Sequence, residues 1–221
     1  MLEVLKVSTD HVVQQGEHLT QIAGEYGFRD YKTIWNHPDN AALKKLRESP
    51  NVLLPGDVLR VPDKMQKAES RPTGQRHTFK VPGTPLMLRL ALKDFGNEPL
   101  ANTKCTITIG GAVVPLTTDA DGHIEMPISP AVKEATLAFE DPLVPFDLSV
   151  PIRVGHLNPV EEVSGQRARL SNLGYITRPL DEVDDTFFEH VVQEFQCDFD
   201  LEVSGTCDAA TQAKLKKLHG S

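Results

Sequence analysis

The stretch HVVQQGEHLTQIAGEYG, residues 11–27, taken with NVLLPGDVLRVP, residues 51–62, decides the fold of the first part of the chain. HVVQQG is a short apolar run closed by Gly16 and reads as a strand. Behind it Leu19, Ile22, Ala23 and Tyr26 stand at i, i+3, i+4 and i+7, one apolar face of a two-turn helix. Gly27 follows as a stop, because glycine enters the left-handed conformation that other residues resist. A second helical stretch begins near Asp30 and carries Ile34 and Trp35, and Pro55-Gly56-Asp57 turns the chain into a last strand ending at Pro62. Two end strands with helices between them must pair to close so small a core. Residues 11–62 are therefore expected to form one βααβ module, preceded by a tail at residues 1–10.

Beyond Pro62 the periodicity changes twice. DKMQKAESRPTGQRH, residues 63–77, is polar with almost no bulky apolar residue, which is the composition of a linker. Residues 78–154 alternate: Leu86, Leu88, Leu90 and Leu92 with Met87, Arg89, Ala91 and Lys93, and later Phe146, Leu148, Val150, Ile152 and Val154 with polar neighbours. Such runs bury one face and wet the other. With turn signals at Gly96-Asn97, Gly110-Gly111 and Asp121-Gly122, the segment is expected to hold about seven strands in a β-sandwich, immunoglobulin-like or prealbumin-like.

After a short linker at 155–159, residues 160–221 are helical by pattern. Val163, Leu170 and Leu173 share a face that Gly174 ends, and Phe188, Val191, Val192 and Phe195 line a second helix. Asp208 is a good N-cap for a third, with Thr211, Leu215 and Leu218 on one face and Lys214, Lys216 and Lys217 near its C-terminal end, where they suit the helix dipole. The fold class expected is thus multidomain: a βααβ module, an all-β sandwich and a three-helix bundle.

Composition bounds the function. With 39% hydrophobic and 24% charged residues, the 221-residue chain is globular material rather than a disordered tail. No apolar run approaches the ~18 to 20 residues of a membrane-spanning helix, so no membrane partner is expected. MLEVLKVSTD lacks the basic start and apolar core of a secretory leader, and synthesis in the cytoplasm without a signal peptide is expected. A net charge of −8 without a basic stripe argues against nucleic acid.

No catalytic constellation emerges. The eight histidines, at 11, 18, 37, 77, 123, 156, 190 and 219, show no His-Glu-x-x-His and no His-x-His spacing, and scattered surface histidines are expected. Asp94, Asp119 and Asp121 invite calcium, but TDADGH lacks the length and terminal Glu of an EF-hand loop and reads as a hairpin turn. Glu161-Glu162 and Asp184-Asp185 are adjacent acids rather than carboxyls facing across a cleft. Cys105 alternates with Ile107 and Ile109 and is a core thiol, while Cys197 and Cys207 are expected as free thiols. No enzyme activity, metal or cofactor is expected, since three small modules leave no length for a catalytic cleft.

Two resemblances bear on function. HVVQQGEHLTQIAGEYG followed by LLPGDVLRVP resembles a LysM domain, in its strand, glycine, acidic residue, Leu, Ile-Ala and final Pro-Gly turn. The resemblance implies binding of N-acetylglucosamine-containing glycans such as peptidoglycan in a shallow groove. One side would be Gly16, Glu17, His18, Leu19 and Thr20, the other Val52, Leu53, Leu54, Pro55 and Gly56. Glu17-His18 departs from the family's Asp-Thr or Asp-Ser, losing a hydroxyl that would cap the helix and lie near the sugar, and the region between the strands is longer than usual. QRARLSNLGY, EFQ, LEVSG and DAAT together resemble the helical peptidoglycan-binding domain appended to wall hydrolases. Here Gln166-Arg167 replaces Val-Gln or Leu-Gln, residues 181–185 replace a glycine-containing loop, and Phe188 stands for a Thr.

The combination, with the string VGHLNP at 154–159, is also similar to proteins of type VI secretion clusters. The expectation is a non-enzymatic wall-targeting accessory that binds peptidoglycan, partnered by secretion-machine proteins or an effector and delivered to a periplasm or target-cell wall by a contractile system. An alternative is an adaptor of such a machine that uses both modules for protein contacts. A third is an inhibitor or immunity protein.

Overall fold

A computed structural model describes residues 8–47, 49–64, 70–78, 85–94, 96, 98–139, 149–176 and 178–220. In the first unit β1 (Thr9–Val12) pairs antiparallel with β2 (Val58–Val61), in register from Thr9 opposite Val61 to Val12 opposite Val58. Pairing thus begins two residues ahead of the expected module start, and the Arg60 guanidinium donates to Asp10 at 2.8 Å on the strand face. Between the strands lie α1 (Leu19–Glu25), α2 (Lys32–Trp35), a 3-10 turn at Pro38–Asn40 and α3 (Ala41–Arg47). The unit therefore carries one helix more than the expected βααβ order. Val13, Leu19, Ile22, Ala23, Ile34, Trp35, Leu53, Leu59 and Val61 form its core.

No residue of α3 is fully buried, and polar groups fasten it. Asn40, just ahead of it, is 2% exposed; its amide donates to the Ile34 and Arg60 carbonyls at 2.8 Å and accepts from the Arg60 amide at 2.8 Å. At the far end Arg47 forms two 2.8 Å bonds to the Asp57 carboxylate, which also accepts from the Leu54 amide at 2.9 Å. That bidentate pair holds the Pro55-Gly56 turn against the helix.

The middle unit is antiparallel throughout among the described residues. A two-stranded sheet pairs β3 (Leu86–Ala91) with β6 (His123–Ile128). A four-stranded sheet runs β5 (Ala112–Thr117), β4 (Lys104–Ile109), β7 (Glu134–Phe139), β8 (Ser149–Arg153). Both contribute to one core of Cys105, Ile107, Ile124, Ala135 and Leu137, flanked by Leu88, Leu90 and Ile152. Gly110 and Gly111, with φ of 56° and 83°, make the two-residue turn between β4 and β5, where twist-compatible hairpins require positive φ twice. Of the second alternating run, Phe146 and Leu148 lie outside the described residues, as does Asn97 of the first turn signal.

The last unit holds α4 (Val163–Asn172), a 3-10 turn at Leu180–Glu182, α5 (Asp185–Asp198) and α6 (Ala209–His219). Val160, Leu170, Ile176, Val183, Val191, Val192, Phe195 and Leu215 form its core. Asp184 and Asp208 cap α5 and α6, accepting from the Phe187 amide at 2.7 Å and the Thr211 amide at 2.8 Å. One expectation fails: Val163 is 50% exposed. It is the first residue of α4 and points outward, while Val160, in the turn before the helix, enters the core in its place.

Candidate functional site

Two surfaces come into question, one on the first unit and one on the last. On the first, the loops entering α1 and preceding β2 meet at one end of the module. The Gly56 amide donates to the Val13 carbonyl at 2.9 Å, the Val13 amide to the Asp57 carbonyl at 2.8 Å, and Leu19 and Leu53 share the core beneath. The ten expected groove residues are thus gathered, but they do not form one open surface. Gly16, His18, Leu19, Val52 and Leu53 are buried; Glu17, Thr20 and Leu54 are half-buried; Pro55 and Gly56 are exposed.

Glu17 and His18 take up internal duties. The Glu17 carboxylate accepts from the Gln14 amide at 2.8 Å and lies 2.9 Å from His11 Nε2, whose other ring nitrogen is 3.2 Å from the Tyr26 hydroxyl. His18 is itself the N-cap of α1, with Nδ1 accepting the Gln21 amide at 3.3 Å, so an imidazole replaces the missing hydroxyl as helix cap. An accepting Nδ1 places the proton on Nε2, which is buried. Burial pushes this imidazole below the usual histidine range, against smaller opposing effects of the Pro130 carbonyl and Glu25. His18 is buried and His11, His37, His77, His156 and His219 are half-buried, so the expected scatter of surface histidines describes only His123 and His190, which are exposed.

On the last unit the buried polar groups do the positioning. Gln196 is fully buried, and its Nε2 donates to Ser204 Oγ at 3.2 Å, the Thr206 carbonyl at 2.9 Å and Thr211 Oγ1 at 3.0 Å. Its Oε1 accepts from the Ser204 and Gly205 amides at 2.9 and 3.0 Å. One glutamine thereby fixes the whole loop between α5 and α6. Gln166 acts likewise on a smaller scale, donating to the Val160 carbonyl at 2.9 Å. Arg169, 1% exposed, donates to the Asn158 and Gly165 carbonyls at 2.8 and 2.9 Å. Sequence reasoning missed these roles, although the QRARLSNLGY string contains Gln166 and Arg169 and the EFQ string contains Gln196.

The surface above α5 carries arginines stacked on phenylalanines. Arg167 lies 5.0 Å over the Phe188 ring and bonds Asp185 at 2.9 Å, and the Arg178 guanidinium sits 3.8 Å over the ring of Phe187. Phe188 is thus the platform for Arg167. The loop at 181–185, which replaces a glycine-containing one, closes through the 3-10 turn, with Val183 buried and no positive φ among its residues.

Asp119 Oδ1 accepts from the Asp121 and His123 amides at 2.9 and 2.8 Å, and Asp119, Asp121 and His123 stand exposed with a ligand atom of each within 4.8 Å of the others. The turn is not the expected hairpin, because it joins β5 to β6, which lie in different sheets. Cys105 is buried in the sandwich core, and Cys197 and Cys207 are free thiols.

Comparison with known families adds one finding: residues 160–215 match the family described as a putative peptidoglycan binding domain. The match runs from Val160 through α4 and α5 to Leu215 of α6, and it supports a peptidoglycan-binding helical domain at this end of the chain. No curated protein and no solved structure matches the chain.

Proposed function

We propose that this protein is a non-enzymatic peptidoglycan-binding accessory in which the C-terminal helical domain makes the primary wall contact. The observation that carries the reading is the family match over 160–215 together with the Gln196-held loop, a rigid polar surface of the kind a glycan or stem peptide requires. The first unit, similar in sequence to LysM domains, supplies a second, weaker contact for N-acetylglucosamine through Thr20, Leu54, Pro55 and Gly56, the groove residues that retain surface. The immunoglobulin-like or prealbumin-like sandwich spaces the two, and two weak sites on one chain gain from effective concentration. The VGHLNP and RLSNLGY strings support an association with type VI secretion.

The test is retention of the full chain on purified sacculi, with turbidity followed in parallel. Retention without clearing supports the reading, and clearing above the buffer rate refutes the non-enzymatic part. The adaptor reading is favoured by one observation, the burial of Gly16 and His18 against the chain itself. A chain that washes off sacculi would turn the argument to it.

A further inference from the structure

The segment that follows β8 lies against the loop that enters α1. At Gly16 a Cβ would meet three ring atoms of His156, the nearest, Nε2, at 2.8 Å, so the Nε2 corner of the imidazole lies against the glycine. At Gly155 a Cβ would meet the Gly16 carbonyl oxygen at 2.7 Å and His18 Cδ2 at 3.5 Å. Both glycines have positive φ, 87° and 78°, and the approach is backbone to backbone. Gln15 adds a bond from its side-chain amide to the His156 carbonyl at 3.4 Å. His18, 5% exposed, closes the seat, with Pro130 of the turn between β6 and β7 acting on its ring. Arg47, at the end of α3, feels the charges of Glu161 and Glu162 just ahead of α4.

From this we infer that Gly155 and His156 are an intramolecular cap: they dock the first unit onto the joint between sandwich and helical domain and cover the Gly16 and His18 side of the candidate glycan groove. In the docked chain wall contact falls to the C-terminal domain, and the N-terminal groove opens fully only when the first unit lifts off. The second consequence rests on the glycan reading given above; the docking itself does not. A cap of this kind requires glycine at both 16 and 155, because any side chain at 155 drives into a carbonyl that cannot swing aside.

The test uses energy transfer from Trp35, the only tryptophan, to a dansyl group on Cys197. Cys197 is exposed, whereas Cys105 is buried and burial pushes the Cys207 thiol up to about 11, so labelling favours Cys197. Gly155→Ala should lose transfer by undocking the first unit. Gly111→Ala, at φ 83° with nothing within 4 Å, carries the same backbone strain without the wedge and should keep it. His156→Ala removes the covering ring without backbone strain and should lower transfer to a lesser degree, which keeps the test open if Gly155→Ala does not fold. Folded Gly155→Ala and His156→Ala variants with wild-type transfer would overturn the cap. A chito-oligosaccharide titration separates the two layers. Lost transfer with tighter sugar binding supports both; lost transfer with unchanged binding supports the docking and removes the N-terminal groove from the glycan reading.

Discussion

Gln196→Ala is the sharpest test of how the C-terminal helical domain is built. Truncation removes five hydrogen bonds at one buried position and takes the Gly205 amide's partner away, while the Ser204 amide keeps the Glu202 carbonyl and the Thr206 carbonyl keeps the Asp208 amide. An orphaned buried polar group costs about 1 to 3 kcal/mol, but Gly205 is only half-buried and water restores part of that. With the lost packing of the side chain, the net cost is about 3 to 4 kcal/mol, a large share of the ~5 to 15 kcal/mol of a typical domain. Gln166→Ala removes a single side-chain bond, to the Val160 carbonyl, and should cost about 1 to 2 kcal/mol. Urea unfolding followed by circular dichroism at 222 nm measures both, and Trp35 emission reports separately on the first unit. Equal costs for the two variants, or less than about 1 kcal/mol for Gln196→Ala, would refute the assignment of the loop to this one side chain.

Two further perturbations follow from the same buried polar groups. Burial, with a smaller contribution from the Arg169 charge, lowers the His219 pKa to about 4, and burial lowers that of His18 as well. The unfolded chain then binds protons first as pH falls, so stability is fully present above about pH 6.5 and drains away toward pH 4, by about 1 to 2 kcal/mol for the partly exposed His219. Melting temperatures from pH 7.5 to 4.5 should fall, and His219→Gln should flatten the curve; an unchanged slope would count against it. Asp57→Ala strands Arg47 in a 7–10% exposed pair and releases the Leu54 amide, at a cost of about 3 kcal/mol read by Trp35 emission in urea. A loss under about 1 kcal/mol would show that the pair does not hold the turn.

The apolar framework was legible because periodicity records it. Leu19, Ile22 and Ala23 in α1, and Val191, Val192 and Phe195 in α5, are buried as their spacing requires. Spacing fails where polar atoms do the fastening. Helix α3 offered Leu43 and Leu46, of which one is half-buried and the other 64% exposed, so no apolar stripe announced it; Asn40 and Arg47 hold it instead. Gln196 and Arg169 are hydrophilic by any scale and lie in the interior because each has carbonyl partners, a pairing that composition cannot foresee. Gly16 and His18 also meet Gly155 and His156, about 140 positions away. Nothing local to residues 16–20 marks that contact.

Charge bears on how the proposed wall contact can form at all. The chain carries −8, and peptidoglycan stem peptides carry carboxylates, so the long-range force between them is repulsive. That repulsion reaches ~30 Å at ~0.01 M salt and only ~8 Å at ~0.15 M. Attraction must then come from contacts at hydrogen-bond and stacking range, such as the exposed backbone of the Pro55-Gly56 turn or the Arg167 and Arg178 guanidiniums on their phenylalanine platforms. These act within a few ångströms, where salt screens little, whereas the repulsion they oppose is screened strongly. Retention on sacculi should therefore hold steady or rise as salt increases from ~0.01 to ~0.15 M, the opposite of a wall binder that works by basic charge. A several-fold fall over that interval would mean that ion pairing dominates the contact. Arg178→Ala and Arg167→Ala would then be the variants to lose both the binding and its salt dependence.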